Sequence, residues 1–109
     1  MPNQPISVSR ASQLMTDYRS YMVGLGVNMN QQTQSVSFNA SDLQQWINDV
    51  MPFTDEFRLC LGVYPTGEPD AGRITVAIWP YKDGQPATSD TGKGVPAEIE
   101  PFNEGQHNP

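Results

Sequence analysis

Residues 57–81 read FRLCLGVY, PTGEPDAG and RITVAIWPY, and this stretch decides the fold. The two outer segments are rich in β-branched and aromatic residues, which strands prefer, and their side chains alternate between two sets. The middle segment consists mostly of turn formers, such as Pro65, Gly67 and Gly72. The sequence therefore predicts a β-hairpin as the centre of the molecule.

One strand register suits this hairpin, with Tyr64 opposite Arg73. It creates an aliphatic face, on which Leu59 lies opposite Ile78, Leu61 opposite Val76, and Val63 opposite Ile74. A slip of one residue would turn every one of these side chains to the other side of the sheet. We therefore expect the aliphatic face to form the core.

The opposite face of the hairpin, here called the mixed face, combines aromatic, small and charged residues. Two interpretations are open. The face is covered by the chain's own tail or by a helix, or it binds a partner. Aromatic residues and arginine are favoured anchors in protein interfaces. Arg58 is expected to lie over Trp79 in a cation–π contact. The candidate interaction residues are Arg58, Tyr64, Trp79 and Tyr81.

Two helices are predicted before the hairpin. Ser7 is the N-cap of the first, whose apolar residues recur at helical spacing until Gly24. Either Asn39 or Ser41 is the N-cap of the second, which ends before Pro52. Between the helices, residues 35–38 alternate polar and apolar side chains, which is typical of a short strand.

These elements predict an α+β fold. Two helices would pack on one face of a small antiparallel sheet, built from the hairpin at about 57–81 and a short strand at about 35–38. Residues 1–82 would form a single domain, followed by an irregular tail at 83–109 that is rich in Pro and Gly. The predicted core comprises Leu14, Tyr18, Leu43, Trp46, Ile47, Leu59, Leu61, Val76 and Ile78.

The tail has the composition of a flexible segment, with isolated apolar residues between its prolines. We expect Val95, Ile99 and Phe102 to dock on the mixed face or on a neighbouring subunit.

The chain of 109 residues has 12 acidic and 6 basic residues, a net charge of −6. Phosphate-binding surfaces need clustered Lys and Arg, so partners such as nucleic acid or an anionic membrane are disfavoured. No signal peptide or transmembrane run is recognisable in the sequence. With its single cysteine, Cys60, the chain is expected in the cytoplasm.

Catalytic and metal-binding residues are scarce. His107 is the only histidine and lies in the tail, and Cys60 is expected to be a small buried side chain. One histidine and one cysteine do not make a zinc site or a nucleophilic triad. Carboxylates near the hairpin ends, such as Asp55, Glu68 and Asp83, leave open a hydrolase or ligand site. We predict no catalytic residue, metal ligand or cofactor.

The chain also resembles a group of small uncharacterised α+β proteins of Bacteroidota. The resemblance covers residues 5–84, and its motifs are the start at Ile6-Ser7, the junction at residues 38–43, and the strands at 58–64 and 75–78. Relatives in that group often have cysteines in the tail, whereas this chain has none there. The resemblance implies no activity.

The function expected from the sequence is therefore non-catalytic. The chain would be a protein-interaction or assembly module that binds a protein partner or itself through the mixed face. One alternative is a small ligand-binding protein or hydrolase that uses loop carboxylates. A further alternative is an immunity-type inhibitor, whose acidic surface would neutralise a basic toxin.

Overall fold

The computed structural model describes residues 3–89 and 97–103, and the backbone of residues 106–108. Its two α-helices, short 3-10 helix and antiparallel strands confirm the predicted α+β fold. The elements are α1 (Val8–Gly24), β1 (Ser35–Ser37), α2 (Ala40–Val50), the 3-10 helix (Met51–Phe53), β2 (Glu56–Val63), β3 (Ile74–Lys82), β4 (Gln85–Pro86), β5 (Thr88–Ser89), β6 (Ala97–Glu98) and β7 (Gln106–Asn108).

The central hairpin has the register that its alternating pattern predicts. Leu59 lies opposite Ile78, and every other pair of the two strands follows the same alignment. At the loop end, the Tyr64 amide donates to the Arg73 carbonyl over 3.1 Å. Gly67 and Gly72 have positive φ angles of 100° and 85°, which explains why glycine occupies these turn positions.

Both helices begin at side-chain caps. The Ser7 hydroxyl accepts a hydrogen bond from the Arg10 amide, and the Asn39 side chain accepts one from the Asp42 amide, each over 3.0 Å. Asn39 is thus the N-cap of α2, rather than Ser41. Within the described ranges, no helix is both long and apolar enough to cross a membrane.

The third strand of the hairpin sheet differs from the expected one. The strand predicted at about 35–38 forms at Ser35–Ser37, but it pairs with β7, whereas β4 lies beside β3. The reason is a tight turn after β3, in which Asp83 and Gly84 have φ angles of 52° and 78°. A turn with two such residues returns the chain directly to the strand it has just left.

A cluster of aromatic rings packs α2 and the tail onto one end of the sheet. The Trp46 ring lies 5.7 Å from that of Phe57 and 5.1 Å from that of Phe102, measured between centroids. The Phe38 ring lies 5.3 Å from that of Phe102. Phe102 also exchanges two backbone hydrogen bonds with Ile78, of 2.8 and 2.9 Å. The aromatic part of the core therefore sits on the aliphatic face, at the end of the hairpin away from its loop.

The prediction that Leu59 and Leu61 belong to the core is wrong. The two side chains are 66% and 78% exposed, and Val63 is 62% exposed, whereas Ile78 on the neighbouring strand is only 8% exposed. The difference follows from position, because β3 has neighbours on both sides and β2 lies at the sheet edge. Leu14 and Tyr18, also predicted in the core, are classed as exposed on α1, which has no buried residue.

This burial pattern predicts where the hairpin is sensitive to truncation. Ile78→Ala should destabilise the protein by about 2–5 kcal/mol, since it leaves a cavity beside the aromatic cluster. Leu25→Ala, at an exposed position after α1, should change the free energy of unfolding by less than about 0.5 kcal/mol. Urea unfolding followed by circular dichroism measures both, and equal losses would contradict the assigned core.

Candidate functional site

The uncovered half of the aliphatic face forms one wall of an apolar groove. The other walls are α1 and the segment at 33–36, and the groove encloses about 590 Å³. Its lining is predominantly apolar. Its apolar side chains include Leu14, Met15 and Tyr18 of α1 and Leu61, Ile74 and Val76 of the hairpin.

Side-chain hydrogen bonds attach α1 to the far wall of the groove. The Tyr18 hydroxyl donates to the Thr33 carbonyl over 3.1 Å, and Arg19 Nη1 donates to Gln34 Oε1 over 2.9 Å. Gln34 is itself held, because its Nε2 donates to the Met29 carbonyl over 3.0 Å. These polar contacts locate α1 beside the sheet although its apolar side chains remain exposed.

Of the predicted interaction residues of the mixed face, Arg58, Trp79 and Tyr81 lie at one end of the hairpin, whereas Tyr64 lies at the loop end. Arg58 is opposite Trp79 in the register, yet its guanidinium lies over the Tyr81 ring, 3.9 Å from the centroid. Its Nε also donates to Glu56 Oε1 over 3.0 Å. The Tyr64 hydroxyl lies 3.2 Å from that of Thr75. Partner binding by these four residues stays a prediction.

Trp79 adds one unexplained feature to the mixed face. Its Nε1 is buried, and no described residue accepts a hydrogen bond from it. A buried indole N–H without a partner costs free energy, so this atom is a place where a further acceptor would be stabilising.

The three predicted docking residues of the tail have different outcomes. Val95 lies outside the described residues. Ile99 is half-buried, and its amide donates to the Ala87 carbonyl over 3.1 Å. Phe102 packs against Phe38 and Trp46 on the aliphatic face, on the side of the sheet opposite to the expected one.

The described residues contain no group of three His, Cys, Asp or Glu side chains placed to hold a metal ion. Of the carboxylates near the hairpin ends, Asp55 lies 4.0 Å from the Lys82 ammonium group and accepts a hydrogen bond from the Asp83 amide. These contacts are structural, because they connect the start of β2 with the end of β3.

Sequence reasoning missed the groove, although α1 carries a signal for it. Apolar residues such as Val8, Met15, Tyr21 and Val23 cover a wider arc of the helix than a single packing stripe. A single stripe is sufficient to pack a helix on a sheet. The additional apolar positions indicate a helix with more apolar surface than its own domain covers.

Comparisons with protein-family models, with curated proteins and with solved structures give no match to the chain. The resemblance to proteins of Bacteroidota therefore stays a prediction.

The position of Phe102 predicts that the tail stabilises the domain. Phe102→Ala should cost about 3 kcal/mol, because it removes a ring that contacts two other aromatic side chains. Phe102→Leu keeps most of the apolar volume and should cost clearly less. The midpoints of urea unfolding compare the two variants, and a wild-type midpoint for Phe102→Ala would contradict this packing.

Proposed function

We propose that the chain is a non-catalytic assembly module that binds a second copy of itself through the aliphatic face of its hairpin. One observation carries the proposal. Leu59, Leu61 and Val63 form a row on β2, and each is more than 60% exposed, at 66%, 78% and 62%. Exposed apolar residues in a contiguous row, unlike scattered ones, are typical of interaction surfaces.

The size of the exposed apolar surface matters because a stable protein interface buries about 800 Å² on each partner. Among the described residues, the exposed apolar side chains of β2 and α1 are the surface that gains most from burial.

The distribution of charge favours a second copy as the partner. Only one of the 12 acidic residues, Asp17, precedes Asp42, so α1 and the segment at 33–36 contribute little negative charge. Within β2 the charged residues are Glu56 and Arg58, which form an ion pair of 3.0 Å. Two copies can thus bring these surfaces together without opposing like charges.

This proposal places the contact on the aliphatic face instead of the mixed face. On the mixed face, Arg58 already contacts Tyr81 and Glu56, so a partner would have to displace those contacts. On the aliphatic face the leucines of β2 are mostly exposed to water, so a partner would displace few existing contacts. The free energy gained on binding is therefore greater there.

The proposal predicts that the protein is a dimer and that one charged substitution on the aliphatic face makes it a monomer. Light scattering should give twice the monomer mass for the wild-type protein and the monomer mass for Leu61→Lys, because the ammonium group would lie beside the apolar row of the second copy. Leu25→Lys is the matched control, since Leu25 is 65% exposed but does not line the groove. It should remain dimeric.

A wild-type protein that is monomeric at every concentration would contradict the proposal. Titration of that monomer with small apolar ligands would then test the ligand-binding alternative. The groove volume of about 590 Å³ lies within the usual range of ligand pockets, about 300–1,000 Å³.

Salt should strengthen the dimer. Each copy has a net charge of −6, so association opposes a general repulsion that added ions screen. Sedimentation velocity in about 0.05 M and about 0.5 M NaCl should show a lower dimer dissociation constant at the higher concentration. Weaker association in the higher salt would indicate an ionic interface and contradict the apolar one.

A further inference from the structure

We infer that the two copies join edge to edge, by antiparallel pairing of β2 with β2 of the second copy around a two-fold axis at Cys60. This inference rests on the proposed self-association and specifies its geometry. The result would be a continuous sheet of six strands, in the order β4-β3-β2 and then the same three strands in reverse. The aliphatic rows of the two β2 strands would lie side by side on one face of this sheet, and their lateral contact is the apolar part of the interface.

The backbone groups on one side of β2 have no strand partner among the described residues. Tyr64 donates to Arg73, and hydrogen-bonded pairs alternate along an antiparallel ladder. The even-numbered residues of β2 therefore bond to β3. The amides and carbonyls of Phe57, Leu59, Leu61 and Val63 point away from β3, and no described strand pairs with that side of β2. We call this side the open edge.

The far edge of β3, in contrast, is occupied at its start, its middle and its end. Gln32 Oε1 accepts from the Ile74 amide over 2.8 Å, Phe102 pairs with Ile78, and β4 pairs with the end of the strand. Among the described residues, the long strand with an open edge is β2, which has eight residues.

The open edge has little protection against strand pairing. Natural sheets protect such edges with proline, a bulge or charged side chains, and the charges of β2, Glu56 and Arg58, lie at one end and pair with each other. Residues 56–63 contain no proline, and their register with β3 is uninterrupted. The odd-numbered side chains, Phe57 to Val63 in steps of two, are all apolar. An edge of this kind is a template for another strand.

The register follows from the residues at each end of β2. In a continuous sheet, the aliphatic side chains of both copies must lie on the same face, so odd-numbered residues lie opposite odd-numbered residues. The two-fold axis must therefore place one residue of β2 opposite the same residue of the second copy. An axis at Leu59 would oppose Val63 to Asp55, whose amide already donates to the Tyr81 carbonyl. An axis at Leu61 would oppose Phe57 to Pro65, which has no amide hydrogen.

An axis at Cys60 avoids both problems. Phe57 then lies opposite Val63 of the second copy, and Leu59 opposite Leu61, so every open amide and carbonyl of the four residues is paired. Arg58 lies opposite Gly62, the residue with no side chain, which leaves the contact of Arg58 with Tyr81 undisturbed. Cys60 meets its own copy.

The meeting of the two Cys60 residues provides the test. Cys60 would form a non-hydrogen-bonded pair with a Cα separation of about 4.5 Å, which lies within the range for a disulfide. Copper–phenanthroline, which removes one electron from each thiol as the protons leave, should therefore join the two chains of the dimer. Cross-linking should be at least about tenfold faster than for Cys60→Ser/Leu25→Cys at equal concentration.

Register is tested with two further variants, Cys60→Ser/Leu59→Cys and Cys60→Ser/Leu61→Cys. Mixed together and oxidised, they should cross-link mainly to each other, as mass spectrometry of the covalent dimers would show. Predominant self-cross-linking of either variant would move the axis to that residue and overturn the inference.

Light scattering on the same samples separates the two levels of the proposal. A dimer whose Cys60 residues cross-link no faster than the Leu25→Cys control would overturn the edge pairing while leaving self-assembly in place. A monomer would overturn both. Adding Leu61→Lys to the wild-type sequence should abolish the Cys60 cross-link along with the dimer.

Discussion

The structure depends on the packing of Trp46 between Phe57 of the hairpin and Phe102 of the tail. These rings connect three segments that are far apart in sequence, and each lies about 5–6 Å from its neighbour. Phe102 also exchanges backbone hydrogen bonds with Ile78, so it pairs with the middle of β3 on the side away from β2. Helix α2, the hairpin and the tail are thus held at one end of the sheet.

The position of the aromatic cluster at one end of the sheet has a consequence for the aliphatic face at the other end. Helix α1 is attached by polar contacts of Tyr18 and Arg19, and it does not close over the sheet. The aliphatic row of β2 consequently remains exposed beside an apolar groove. A surface of this composition is stabilised by contact with another apolar surface, and the proposed dimer supplies one from an identical chain.

Much of the local structure could be predicted from the sequence. The hairpin register follows from alternation alone, since any slip of one residue would mix Leu61 with the opposite face. Ser7 and Asn39 are recognisable as caps because their side chains accept from amides three residues later. The candidate site is harder to predict from the sequence. The sequence indicates that Leu59 and Leu61 share a face with Ile78, but not that only Ile78 is covered.

The sequence by itself determined the helices, the hairpin, its register and the apolar character of one face, because these depend on residues close together in the chain. Only the tertiary structure decided that β4, not β1, lies beside β3, and that β2 is left at the edge. Those outcomes depend on long-range competition for the two sides of β3. Gln32, Phe102 and β4 occupy one side, so the exposed row and the open edge both fall on β2.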